Sequence, residues 1–276
     1  MTGGARVGDD RVTIPFDGRR IDIEIAWVRP EHAHRTDRPL VVFLHEGLGS
    51  VSMWRDYPRM LCEAGDLRGL VLSRYGYGRS TPRPHDEKWG ADFMHRQARE
   101  ALPALFDALE IGPGRRHGKP WLLGHSDGGS IALIHAACFP DAVAGLIVLA
   151  PHTVVEDISV RSIAETRRAY LETDLRTRLA RYHDDVDSAF WGWNDIWLDP
   201  AFRQWDLRPL LPAIACPVLA VQGEDDAYGT MAQIEGIHRY APRASLLKLA
   251  RCGHSPHRDQ PARLTEAAVD FITTHT

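Results

Sequence analysis

Residues Gly124-His125-Ser126-Asp127-Gly128 form a G-x-S-x-G run, a spacing that answers a steric demand. A serine at the tip of a tight strand-to-helix turn projects its hydroxyl clear of the sheet. The strained turn leaves no room for side chains two positions before or two after it. The flanks agree, because Trp121-Leu122-Leu123 suits a buried strand and the Ala-rich stretch from Ser130 to Phe139 suits a helix. Such a serine is nearly inert until a base takes its proton and a third group orients that base. The base is sought near the carboxyl terminus, where Arg251-Cys252-Gly253-His254-Ser255-Pro256 follows a strand pattern. His254 is favoured over His257, since it directly follows a glycine at the strand exit, where a loop can aim a side chain back over the sheet. Three carboxylates, Glu224, Asp225 and Asp226, stand at the end of the preceding strand pattern. The bland reading of that run is a solvated acidic turn, which fits Glu224 and also Asp225.

Acyl transfer at a serine also needs N–H donors for the developing oxyanion, each worth about 3–4 kcal/mol. One is expected from Asp127, the residue after the serine. The other is expected from the loop His45-Glu46-Gly47-Leu48-Gly49-Ser50, with Gly47 as the donor, because a glycine lets backbone approach a substrate closely. Glu46 and Asp127 then set two carboxylates beside a site that must hold an anion. A like charge about 5 Å away costs about 3 kcal/mol at an effective dielectric of about 20. Each carboxylate must therefore turn away, be neutralised by an arginine such as Arg74 or Arg79, or face a cationic group of the substrate.

The elements that would hold these residues alternate along the chain. Val12 to Phe16 and Ile21 to Val28 read as a hairpin around Asp17-Gly18, and Pro39 to Leu44 as a strand buried on both faces. A helix is expected through Met53, Trp54, Tyr57, Met60 and Leu61, then a strand over Gly69 to Ser73 and a helix over Asp92 to Leu109. After the Ser126 unit comes a strand over Ala144 to Leu149. The rhythm stops at Ala150-Pro151 and resumes with a strand over Pro217 to Gln222, a helix over Gln233 to Tyr240, a strand over Ser245 to Leu249 and a helix from Gln260. This alternation predicts an α/β fold, with a mostly parallel central sheet and helices on both faces. The polar, helical middle reads as an inserted cap over the carboxyl ends of the strands, where ligands bind in open α/β sheets. The expected division is 1–150 and 213–276 for the core and 151–212 for the cap. Trp191, Trp193, Trp197 and Trp205 fall in that cap. Packing alone could explain each one, but Trp191, Trp193 and Trp197, with Trp54 and Glu46, are expected to line an apolar or aromatic substrate pocket.

Composition narrows the partners. With 276 residues, 25% of them charged, and a net charge of −4, the chain has an ordinary globular balance and no basic footprint for nucleic acid. No apolar run approaches the roughly 20 residues of a membrane span. Met1 to Arg11 lacks the apolar core of a secretory signal and reads as a frayed tail. Cys62, Cys138, Cys216 and Cys252 are widely spaced, as free thiols of a cytoplasmic protein would be. The 14 histidines, His32 and His34 among them, form no metal-binding motif. Neither a metal nor a cofactor is expected; the expected partner is a small-molecule substrate.

Over nearly its whole length the chain resembles the α/β-hydrolase fold serine hydrolases. His45-Glu46-Gly47 resembles the family's His-Gly-x loop, and Arg74-Tyr75-Gly76-Tyr77-Gly78-Arg79-Ser80 is similar to its G-x-G-x-S loop. Gly223 with Asp226 resembles the G-x-x-D acid motif and Gly253-His254 the final G-H. The resemblance selects Asp226 over Asp225 as the acid and gives the chain order Ser126, Asp226, His254. Glu46 departs from the family's usual glycine, and Arg74 stands where an aspartate is common. The elbow also resembles that of valacyclovir-hydrolase-like amino-acid ester hydrolases, in which the aspartate helps to recognise a substrate amine. The implied activity is hydrolysis of a small carboxylic ester or thioester through an acyl-enzyme on Ser126. Haloalkane dehalogenase and epoxide hydrolase activities are disfavoured, because those relatives carry aspartate at the elbow. The alternatives are a C–C bond or amide hydrolase using the same triad, and a ligand receptor of the same fold with vestigial chemistry.

Overall fold

The computed structural model describes residues 10–33 and 35–276. The expected amino-terminal tail lies outside the described residues up to position 9, as does His34. Eight strands form one sheet: β1 (Asp10–Phe16), β2 (Arg19–Val28), β3 (Leu40–Leu44), β4 (Arg68–Leu72), β5 (Trp121–His125), β6 (Gly145–Leu149), β7 (Val218–Gly223) and β8 (Ala244–Leu249). Their spatial order is β1-β2-β4-β3-β5-β6-β7-β8. The β1–β2 hairpin is antiparallel and turns at Asp17 and Gly18, whose φ values of 52° and 69° are those of a two-residue hairpin loop. From β3 to β8 every pairing is parallel.

Side chains of the central strands alternate between two cores, as a period of two requires. Val42, Leu44, Leu122, Leu146 and Val148 face one core, whereas Val41, Phe43, Leu123, Ile147 and Leu149 face the other. The second core is closed by α1 (Tyr57–Ala64) and, at the chain's end, by a long helix over Pro261–His275. The first is closed by α2 (Phe93–Arg96), a π-helical turn (Gln97–Ala101), α3 (Leu102–Ala108) and α4 (Asp127–Cys138). Between β6 and β7 come α5 (Asp157–Glu172), α6 (Leu175–Leu179) and α7 (Val186–Leu198). Extended pairing in this stretch is limited, among the described residues, to a single bridge between Val154 and Asp206. Then follow α8 (Ala232–Tyr240), the four-residue α9 (Pro256–Asp259) and α10, the Pro261–His275 helix.

Two local expectations are corrected. The helix drawn through Met53 to Leu61 is broken: a 3-10 turn (Val51–Trp54) ends at Arg55, whose φ of 53° is incompatible with helix, and α1 starts at Tyr57. Met60 is 40% exposed rather than on the buried side, which α1 fills with Tyr57, Pro58, Leu61 and Cys62. The carboxyl-terminal loop also holds α9, too short to show a helical period. All four cysteines are free, with Cys138 half-buried and the other three buried. Among the described residues, no helix is long and apolar enough to cross a membrane.

Candidate active site

The strand order reverses at β3 and β5, so the loops leaving their carboxyl ends diverge and open a crevice between them. Both chemistry-bearing loops start there, Leu44 lying in register with Gly124. Ser126 stands at φ 52° and ψ −119°, a strained conformation of the kind that costs about 1–3 kcal/mol. Its N–H is tied to the carbonyl of Leu149 on β6 at 2.8 Å. A Cβ at Gly124 would overlap the Gly128 carbonyl, and one at Gly128 would overlap the carbonyl of Leu44. The G-x-S-x-G spacing is thus enforced by backbone on both sides.

The acid and the base come from neighbouring loops packed on each other. Asp225 N–H donates to the carbonyl of Cys252 at 2.9 Å, and a Cβ at Gly223 would overlap that same carbonyl. Glu224 and Asp225 are exposed, whereas Asp226 is buried. Asp226 meets His254 Nδ1 at 2.9 Å through Oδ1 and 3.0 Å through Oδ2. It also accepts from the Tyr228 N–H at 2.8 Å and from Gln222 Nε2 at 3.2 Å. Burial pushes its carboxyl up, but the bonds from His254 and the Tyr228 N–H, with the His254 charge, outweigh burial and hold it below its ordinary value. With Nδ1 engaged, Nε2 of His254 is the ring nitrogen left to accept a proton.

His257 is placed elsewhere. It sits on α9, 3% exposed, with its ring 4.9 Å from that of Trp54 and 4.8 Å from that of His125. Burial, aided by His125, lowers it to about 2, so it stays neutral and enclosed.

A cavity of about 220 Å³ joins Ser126, Asp127, His254, Glu46 and Gly47 beneath Trp193 and Trp197 of α7. Gly47 cannot carry a side chain, since its Cβ would overlap the indole of Trp193. The carbonyl of Glu46 accepts from His45 Nδ1 at 2.7 Å, Arg74 Nη2 at 2.9 Å and Gly49 N–H at 3.1 Å. Because a trans peptide points C=O and N–H in opposite directions, fixing that carbonyl aims the Gly47 N–H the other way. Asp127 begins α4, so its N–H has no partner within the helix. These two N–H groups are the ones expected from the sequence as oxyanion donors.

Both carboxylates have cationic or N–H neighbours. Glu46 lies 3.5 Å from His125 Nδ1 and 3.5 Å from Arg258. Burial pushes it up, yet His125 and Arg258 hold it well below the usual carboxylate value. Asp127 is 1% exposed; Oδ1 accepts from Trp197 Nε1 at 3.2 Å, and Oδ2 lies 3.7 Å from Arg74 without a hydrogen bond. Burial raises it to about 6, against the pull of Arg74.

Two expected pocket residues are elsewhere. Trp54 packs edge-on against Phe43 in the second core. Trp191 lies on the outer side of α7 against Tyr170 and Phe190, with the Arg167 guanidinium 5.3 Å above its ring. Other lining residues escaped sequence reasoning: His152, Ile163, Thr166, Tyr228 and Ser255. Position alone could have found His152, just past the carboxyl end of β6, and Tyr228, two residues after the acid. Ile163 and Thr166 share a face of α5 at a spacing of three. His152 is 2% exposed, and burial lowers it to about 3.

Comparisons with known proteins bear on the family of the chain. The model of the alpha/beta hydrolase family matches residues 41–267. The human serine hydrolase BPHL is 30% identical over 210 residues, covering 71% of this chain and 66% of that protein. The 2-succinyl-6-hydroxy-2,4-cyclohexadiene-1-carboxylate synthase of an Enterobacter species is 26% identical over 268 residues, covering 85% and 92%. Among solved structures, proline iminopeptidase of Mycobacterium smegmatis superposes with a TM-score of 0.73 at 19% identity, covering 96% and 98%, a likeness of fold.

Proposed function

The chain belongs to the alpha/beta hydrolase family, and from that premise we propose that it is a serine hydrolase cleaving small carboxylic esters or thioesters through an acyl-enzyme on Ser126. The observation that carries this reading is the His254–Asp226 pair, 2.9 and 3.0 Å apart, opening onto the cavity that holds Ser126. In the first half-reaction Ser126 Oγ attacks the carbonyl carbon while His254 Nε2 takes its proton. The oxygen that gains the electron pair lies against the N–H groups of Gly47 and Asp127. His254 then gives the proton to the leaving alcohol or thiol as the C–O or C–S bond breaks. In the second half-reaction water replaces the alcohol and releases the acid, restoring Ser126.

The cavity also speaks to the substrate. At about 220 Å³ it is below the roughly 300–1,000 Å³ of drug-sized sites, which favours a small acyl group. No lysine or arginine is among its described lining residues, whereas Glu46 and Asp127 are. A carboxylate on the substrate would be buried there without a countercharge, at a cost of several kcal/mol. That distinguishes the site from one suited to the carboxylate product in the Enterobacter synthase's name. Because Arg74 already faces Asp127, the reading selects a neutral ester over an amino-acid ester.

Three p-nitrophenyl esters matched in length, with neutral, carboxylate-bearing and α-amino acyl groups, test this. The neutral ester is expected to exceed its carboxylate twin in kcat/KM by about 10²-fold or more, with the amine giving no advantage. Preference for the carboxylate ester overturns the substrate assignment, and failure to cleave any ester returns the C–C and amide alternatives to the front.

A further inference from the structure

Arg74 follows β4 and is 2% exposed, although no step of acyl transfer calls for it. One nitrogen of its guanidinium, Nη2, lies 2.9 Å from the carbonyl oxygen of Glu46 and 3.7 Å from Oδ2 of Asp127. Those two residues carry the hole's donors: the Glu46 carbonyl shares its peptide plane with the Gly47 N–H, and Asp127 supplies its own. The backbone of Arg74 acts on the same peptide. Its N–H donates to His45 Nε2 at 2.9 Å, which leaves the proton on Nδ1, and that N–H donates to the Glu46 carbonyl at 2.7 Å. His45 is held well below the ordinary imidazole value by burial and by Arg74, in keeping with this neutral tautomer. The guanidinium is in turn seated 4.5 Å over the ring of Tyr77.

We propose that Arg74 is the positioning residue of the oxyanion hole, a buried cation that locks two donors from different loops into one geometry. The β3 loop and the α4 terminus leave different strands, and nothing covalent near the site fixes their separation. A guanidinium bonded to one and paired with the other does so. The inference rests on the acyl-transfer reading, which turnover by the unmodified protein and its loss in Ser126→Ala test separately from any Arg74 variant.

The rival explanation is that Arg74 only neutralises Asp127. Removing both charges separates the two ideas, so Arg74→Met/Asp127→Asn is compared with Asp127→Asn alone, and Arg74→Lys and Arg74→Met with the unmodified protein. The readouts are kcat and KM for a neutral p-nitrophenyl ester and the Ki of a matched trifluoromethyl ketone, whose hemiketal oxygen mimics the oxyanion. A misplaced donor is expected to lower kcat about 10²-fold, with KM nearly unchanged. The Ki should weaken by the same factor, and Arg74→Lys, which keeps the charge, should recover part of the loss. If the double variant matches Asp127→Asn in kcat and Ki within about threefold, or if only KM or Tm moves, Arg74 is a countercharge and the proposal fails. Should Arg74→Met not fold, the double variant carries the test.

Discussion

Asp127 carries opposing demands on the acyl-transfer proposal, because its N–H would serve an anion while its carboxylate would oppose one. Folding raises its pKa from the ordinary 3.8 to about 6, so the folded protein prefers Asp127 protonated. The stability that preference contributes is complete below pH 3.8 and is lost as pH rises through about 6. Asp127→Asn mimics the neutral form. It should therefore match the unmodified protein near about pH 3.5 and exceed it by up to about 3 kcal/mol above about pH 6, since each pH unit between the two pKa values contributes about 1.4 kcal/mol. Chemical denaturation across that range checks the sign; a variant less stable at about pH 7 than at about pH 4, relative to the unmodified chain, contradicts it. At this scale the sequence was legible where chemistry sits directly at a strand end. Ser126, Asp226 and His254 each follow a strand by a few residues, so pattern and position coincide. Arg74 was legible as a candidate countercharge for Glu46 and Asp127, whereas His125 and His152 were illegible as partners, since their roles come from contacts 129 and 22 residues apart in the chain.

The elements decide which aromatic residues line the cavity. Arg55 at φ 53° interrupts the helix expected from Met53, and Trp54 lies in the second core with Tyr57 and Leu61 rather than at the cavity. On α7, Trp193 and Trp197 are four residues apart and reach the cavity, while Trp191, two residues from Trp193, faces the other way. Trp54→Ala should therefore cost about 3–5 kcal/mol of stability and leave the acyl-chain preference of the enzyme as it was. Trp193→Ala, which uncovers Gly47, should shift that preference toward longer acyl groups. A Tm series beside kcat/KM for acetyl through octanoyl esters checks both; a changed chain-length profile in Trp54→Ala would return that residue to the pocket. The helical period gave no hint of the Arg55 break, because positive φ at an arginine has no compositional signature.

For the molecule as a whole, the parallel sheet and its reversal between β3 and β5 make a serine hydrolase site possible. The apolar runs were long enough to identify the strands, and β–α alternation then leaves few topologies open. What alternation cannot supply is how the helices between β6 and β7 meet the rest, because their polar faces and tryptophans fit several packings. There His183 gives the specific tie: its Nδ1 accepts from the Gly78 N–H at 2.9 Å and its Nε2 donates to the Leu48 carbonyl at 3.0 Å. It links the 78–79 turn to the loop that carries Gly47, and so the helices between β6 and β7 to the candidate site. All of this converges on one nucleophile. The most direct measurement is intact-mass labelling with a fluorophosphonate, followed by peptide mapping. One adduct per chain on Ser126, absent in Ser126→Ala and slowed in His254→Ala, is the predicted result. A folded, unmodified protein that stays unlabelled, or an adduct on another residue, would contradict the account.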